Sequence, residues 1–357
     1  MSSGKNIFFG SDIFRNSLYG DNHPLNIARV WPAIDICRAE GWLDEETYHE
    51  IKPASEAVLA QFHDEAYVAA LSYAQRHQTL PEALKDQFHI GRASNPIFKE
   101  VYERPATAAN ASLIGAKWLI EGRADTVYNP SGGTHHGRKN KANGFCFVND
   151  PAIALDVLAD EGQGTITYID IDAHHCDGVQ DWHSDNPQIQ IISIHQSDLW
   201  PRTGSQDDKG GGNAHNFTLP PESGDTALKA LMTDIIIPLI TAHKPSYLVL
   251  QAGADGHRHD PQSKLAYSLQ GYWQVIEMIL AIDCPKLVLG GGGYNPYITA
   301  KAWAGIWPLI TKQLSSEALA NLPLSQASSH LLKQLSWHHR LGRNPPDTWF
   351  SHFGDKG

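Results

Sequence analysis

The densest run of chemically competent side chains is YIDIDAHHCDGVQ, residues 168–180. Within it Asp170, Asp172, His174, His175 and Asp177 place five polar residues in eight positions. Residues two apart in a strand face the same side, so Asp170, Asp172 and His174 are expected to line one side as a strand ends. Buried carboxylates are costly unless paired or metal-bound. An Asp-x-His pair can hold one divalent cation from a single segment. A turn or helix cap at a strand exit uses the same residue types, but it does not need five of them.

Three further clusters carry chemistry. PSGGTHHG (130–137) brings His135 and His136, and imidazole is the natural acid and base near neutral pH. The chain has 19 histidines, so this pair alone reads as surface. QAGADGH (251–257) places Asp255 after an apolar run. GGGGYN (290–295) lets backbone approach another surface closely and lets Tyr294 project over a pocket. The glycines alone read as a tight turn, and no GxxxxGK[ST] or GxGxxG pattern makes them a phosphate loop.

The ordered strings NPSGGTHHG, NGFCFVNDPAIAL, YIDIDAHHCDGVQ, ISIHQ, TG, LQAGADGH and LGGGGYNPY carry a resemblance. HPLNIAR (23–29) and FHDEAYV (62–68) add to it. Together they resemble the zinc-dependent deacetylase superfamily of histone deacetylases, acetoin-utilization proteins and acetylpolyamine amidohydrolases, most of all the bacterial acetoin-utilization type. The resemblance covers roughly residues 5–315. It implies a single-domain α/β arginase/deacetylase fold over 1–357, with a central parallel sheet of about eight strands and a C-terminal extension packed on it. It also implies hydrolysis of an amide bond, removing an acetyl or related short acyl group from a lysine side chain or small amine.

Motif by motif, the resemblance makes Asp172, His174 and Asp255 the zinc ligands. The same donor set suits iron(II) or cobalt(II). His136 becomes the general base and acid and His135 a charge stabiliser, oriented by Asp177 and Asp170 respectively. Tyr294 becomes the group that polarises the acyl carbonyl. A structural potassium ion is implied at Asp170, Asp172, His174, Ser193 and Ile194, through backbone or side chain. Arg29 matches the arginine of an internal channel for acetate release.

The substrate pocket is expected from Gly144, Phe145, Trp200, Ser94 and Gln262. Phe145 and Trp200 would sandwich an alkyl chain. Ser94 stands where the family carries a substrate-clamping aspartate, unless a one-residue shift offers Asn95. A serine gives no charged acceptor, so a lenient enzyme is expected, with little preference for flanking sequence. Cys176 replaces a glycine, and a buried, inert thiol is the plainer reading of it. Two other functions compete: a binuclear-manganese ureohydrolase of the arginase type, and a non-catalytic metal- or acyl-ligand-binding relative. The first normally needs a second Asp-x-Asp on a later strand, where this chain offers Asp255 alone. The second should show a missing ligand or tyrosine, and none is missing.

These residues need a scaffold. Short apolar runs at NIFFG, DTVYN, TITYIDID, IQIISIH, YLVLQAG and KLVLGGGG predict strands, with helices near 105–121 and starting near Asp150, Ser223, Ser268 and Thr299. Strands alternating with helices predict a parallel sheet covered on both faces. In such sheets, ligands bind beyond the carboxyl ends of the strands. The net charge of −11 opposes non-specific nucleic-acid binding. Cys37, Cys146, Cys176 and Cys284 form no CxxC pair and are expected as reduced thiols. No apolar run approaches the ~20 residues that span a bilayer, and the N-terminal residues lack a signal-peptide core. A cytoplasmic protein is expected; its oligomeric state stays open.

Overall fold

Apolar runs without polar alternation call for burial on both faces. In the computed structural model, which describes residues 5–355 apart from 21, 22 and 93, they have it. The extreme ends of the expected 1–357 domain lie outside the described residues. The strands are β1 (Asn6–Gly10), β2 (Tyr48–Glu50), β3 (Thr126–Asn129), β4 (Ile166–Asp170), β5 (Ile189–Gln196), β6 (Ala214–Leu219), β7 (Tyr247–Gln251) and β8 (Lys286–Leu289). They form one sheet in the order β2-β1-β3-β8-β7-β4-β5-β6, and every pairing is parallel. β4, β5 and β8 are buried along their whole length.

Alternate strand residues feed two apolar layers. Phe8, Tyr128, Ile169, Ile192, Leu250 and Val288 pack with the helices Val30–Ala39, Leu269–Leu280 and Pro296–Ile310. Phe9, Val127, Tyr168, Ile191, Val249 and Leu287 pack with Glu103–Ile120 and Asp150–Glu161. This is the α/β arrangement expected, with helices on both faces.

One stretch departs from the sequence reading. The helical run Asp225–His243, 19 residues at mean hydropathy 1.2, is long and apolar enough to cross a membrane by those two measures. Its fully buried residues Leu228, Met232, Ile236 and Ile240 recur every fourth position and join the first layer. That spacing is the signature of a helix laid on a core.

A single row across the carboxyl end of the sheet sets up the site. Asn129 pairs with Leu289, Leu289 with Gln251, Gln251 with Asp170, and Asp170 with Ser193. The chain after the row carries residues 130–137, 171–177, 252–262 and 290–295. The last turn of the chain closes beside them. Trp349 and Phe353 belong to the first apolar layer. The Asp355 carboxylate lies 2.8 Å from His257 Nε2 and 3.2 Å from Arg258, and accepts the Leu269 N–H at 2.7 Å.

Candidate active site

β4 ends at Asp170, before the expected alternation could place Asp172 and His174 on a strand. Both instead sit in the following loop, and neighbouring loops hold them in place. Asp172 accepts the Gln251 amide at 2.9 Å and the Gly292 N–H at 2.7 Å on one oxygen, and its other oxygen faces His174 Nδ1 at 3.0 Å. Asp255 accepts the Ala173 N–H at 2.8 Å and presents its second oxygen to the same nitrogen at 3.0 Å. One donor atom from each residue lies within 4.8 Å of the others.

The donor set fits a divalent cation. Two carboxylates, at most 1 % exposed, face each other across one imidazole. Burial and the charge of Asp172 push Asp255 up to about 6. Burial pulls His174 down, but its hydrogen bonds to Asp172 and Asp255 outweigh this and lift it to about 10. The cluster is therefore short of positive charge, which an ion would supply. Among the described residues this is the one group of three or more metal-competent side chains. That does not favour a binuclear ureohydrolase.

The tandem histidines are aimed by carboxylates on different elements. His135 Nδ1 lies 2.7 Å from Asp170, which ends β4, and His136 Nδ1 lies 2.6 Å from Asp177, which opens the helix Asp177–His183. The two Nε2 atoms are 3.0 Å apart. Burial lowers His135, yet Asp170 and Asp172 overcome it and raise it to about 9. Burial and then the His135 charge push His136 down to about 4, against the pull of Asp177. At neutral pH, His135 is thus the charged partner and His136 the neutral one.

His136, His174, Tyr294, Phe145, Trp200, Gly144, Ser94 and Gln262 line one cavity of about 200 Å³. The Tyr294 phenol is driven far above its ordinary value by burial and by Asp255 and Asp172, so it stays protonated and able to donate. The Trp200 ring stands edge-on 4.5 Å from His136, and Phe145 stands 6.0 Å from Tyr294. Gly144 has φ +52°, and a Cβ there would lie 2.3 Å from the Trp200 ring. A Cβ on Gly292 would lie 2.1 Å from Asp255, so this glycine lets the 290–295 strap reach the ligands.

The structure also separates Ser94 from Asn95. Ser94 lines the cavity, whereas Asn95 turns inward, accepting the Phe145 N–H at 3.0 Å and donating to His89 O at 3.2 Å. Arg29 lies behind the glycine strap, bonding Gly291 O at 2.9 Å and Gly293 O at 3.3 Å. Ser193 sits opposite Asp170 in register, with Ile194 next to it on β5. Cys176 is fully buried and burial raises its thiol, which is the inert arrangement.

Sequence reasoning passed over the residues that aim these groups. Asn149 caps its helix through the Ala152 N–H and holds the carbonyls of His135 and Gly137. Arg138 pairs with Asp177 on the side away from His136. Asp260 accepts the Tyr294 N–H at 2.6 Å. Gln251 ties Asp172 to β7. A polar residue ending an apolar strand was the available signal for Gln251. Gln251→Leu is expected to weaken metal binding by about 10–100-fold, as read by titration of the apoprotein with zinc. Unchanged affinity would show that Asp172 holds its position without that bond.

Parallel α/β architecture, one buried Asp/His/Asp cluster, a histidine dyad and a protonated tyrosine on one narrow cavity define a metal-dependent amidohydrolase. A family model for the histone deacetylase domain matches residues 23–310, and the chain belongs to that family. It is 30% identical over 314 residues to the acetoin utilization protein AcuC of Bacillus subtilis, covering 84% of this chain and 81% of that one. Histone deacetylase 8 of Xenopus laevis is 31% identical over 273 residues, 74% of this chain and 83% of that one. Among solved structures, a histone deacetylase homologue complexed with SAHA superposes with a TM-score of 0.89 at 30% identity, covering 99% of this chain and 95% of the other. The homologue from Aquifex aeolicus gives the same values. The reaction class is metal-dependent deacetylation.

Proposed function

We propose that the chain is a zinc-dependent deacetylase that removes acetyl or related short acyl groups from lysine side chains or small amines. The observation that carries this is the convergence of His174, His136 and Tyr294 on one cavity with aromatic walls. Zinc held by Asp172, His174 and Asp255 would supply Lewis acidity toward a water and the acyl carbonyl. The neutral His136 accepts the water proton and returns it to the departing amine nitrogen. His135, paired with Asp170, stabilises negative charge beside it. Tyr294 donates its O–H to the developing oxyanion. Phe145 and Trp200 hold the alkyl chain of the amine half.

Three further assignments belong to the same reading. A structural potassium ion would be held by Asp170, Asp172, His174, Ser193 and Ile194, where β4 meets β5. Arg29, whose buried Nε has no partner among the described residues, lines an exit for the acid product. The four free thiols support a reducing, cytoplasmic setting.

The test is hydrolysis of acylated peptides and acylated polyamines by protein stripped with a chelator and then reloaded. Activity should vanish on stripping and return with zinc or cobalt(II) at one ion per chain. Full activity in demonstrably metal-free protein would sink the proposal. A second measurement addresses the amine side. Ser94→Asp restores a charged acceptor at the rim and is expected to raise kcat/KM for acetylated peptides about ten- to a hundredfold relative to a small acetylated amine. An unchanged ratio would remove Ser94 from amine recognition.

A further inference from the structure

A second cleft, about 520 Å³, adjoins the mouth of the first. The two share Gln262 and Tyr294 as a common wall. Its other walls come from the turn His23–Ile27 and from Trp337, His338 and His339. The second wall lies beyond residue 310, where the family match ends. It is nonetheless built into the site. Leu335 O accepts the Tyr297 hydroxyl at 3.2 Å, Trp337 lies 6.2 Å from Tyr297, and the Trp337 and His339 rings stack at 4.9 Å. Tyr297 is three residues past Tyr294, and Trp349 lies 5.4 Å from His259 on the loop that carries Asp255.

The cleft carries no negative charge of its own. Among the described residues it has no acidic side chain. The side chains of Asn26, Gln262, Trp337 and His338 all carry N–H donors, and none of those side-chain donors has a protein partner among the described residues. The segment behind the wall is basic in an otherwise acidic chain. Between Glu317 and Asp347 there is no carboxylate, while Lys333, Arg340 and Arg343 fall in that interval. Uncommitted side-chain donors beside a basic segment suit an acceptor anion.

We propose that this cleft is a second subsite of the active site, which binds a carboxylate carried by the amine half of the substrate. The proposal rests on the deacetylase reading and narrows it. The carboxylate belongs either to a free acyl-amino acid or to an acidic residue beside an acylated lysine in a peptide. Acylated polyamines, cationic along their length, are disfavoured.

The experiment uses the full-length, metal-loaded enzyme. One pair of substrates is Nα-blocked Nε-acetyl-lysine and its methylamide; a second is an acetyl-lysine peptide flanked by Asp or by Lys. At least one anionic member should exceed its partner in kcat/KM by about ten- to a hundredfold, and the pair that responds identifies the source of the carboxylate. His338→Glu, at an exposed position, and Trp337→Ala should each collapse that ratio while bound metal stays at the parental level. Equal kcat/KM within both pairs overturns the subsite, as does a ratio that survives both substitutions. If no acylated amine is turned over at all, the deacetylase reading itself falls and the subsite falls with it.

Discussion

His136→Ala is expected to lower kcat by about 10²–10⁴-fold, the usual worth of a positioned acid–base group, and His135→Ala by less. Only His136 of the two lines the cavity. Its Nδ1–H is committed to Asp177, so the basic site is Nε2, the atom that faces His135 Nε2 at 3.0 Å. The pH profile carries the sharper test. A group pushed down to about 4 is neutral above that value and charged below it. The rate should therefore hold through neutral pH and fall as the pH drops toward 4. His135 is one cause of that depression, so His135→Ala should let the His136 value rise and move the acid limb to higher pH. A larger loss at His135 than at His136, or an acid limb that stays put in His135→Ala, would reverse the assignment.

Tyr294→Phe is expected to cost about 10²–10³-fold in kcat, comparable to the loss of one oxyanion donor elsewhere, with metal content unchanged. The substitution removes one hydroxyl and keeps the ring that packs near Phe145. The backbone of residue 294 remains fixed by Asp260, and Asn295 still caps the helix Pro296–Ile310 through the Ile298 N–H. A parental rate on the best substrate would show that the phenol does not touch the reacting carbonyl.

The sequence made some parts of this molecule plain and hid others, for physical reasons. β1, β3, β4, β5, β7 and β8 were readable because strands buried on both faces are continuous apolar runs. β2 (YHE) and β6 (AHNFTL) were not, because they are the two edges of the sheet. An edge strand has one neighbour and is half-buried, so its residues need not be apolar. The metal and dyad residues were readable by type and spacing. The groups that aim them were not. Arg138, Asn149, Gln251 and Asp260 act across 12 to 79 residues of chain, and no local pattern encodes such a pairing. The alternation carried past Asp170 failed because the chain leaves the sheet there to meet Gln251 and Asp255, which strand periodicity cannot anticipate.

The place of β8 has a consequence for biogenesis. Among the described strands it is the last to be synthesised, yet it lies inside the sheet between β3 and β7. Until residue 289 has been made, β2-β1-β3 and β7-β4-β5-β6 are two separate ribbons, each with an open edge that a foreign strand can pair with. Asp172, His174 and Asp255 all belong to the second ribbon, His135 and His136 follow the first, and Tyr294 follows β8 itself. A nascent chain can therefore gather its metal ligands before its dyad and tyrosine are joined to them. Insertion of β8 sutures the ribbons and completes the catalytic set in one event. A chain stopped at residue 285 should accordingly aggregate through the β3 and β7 edges.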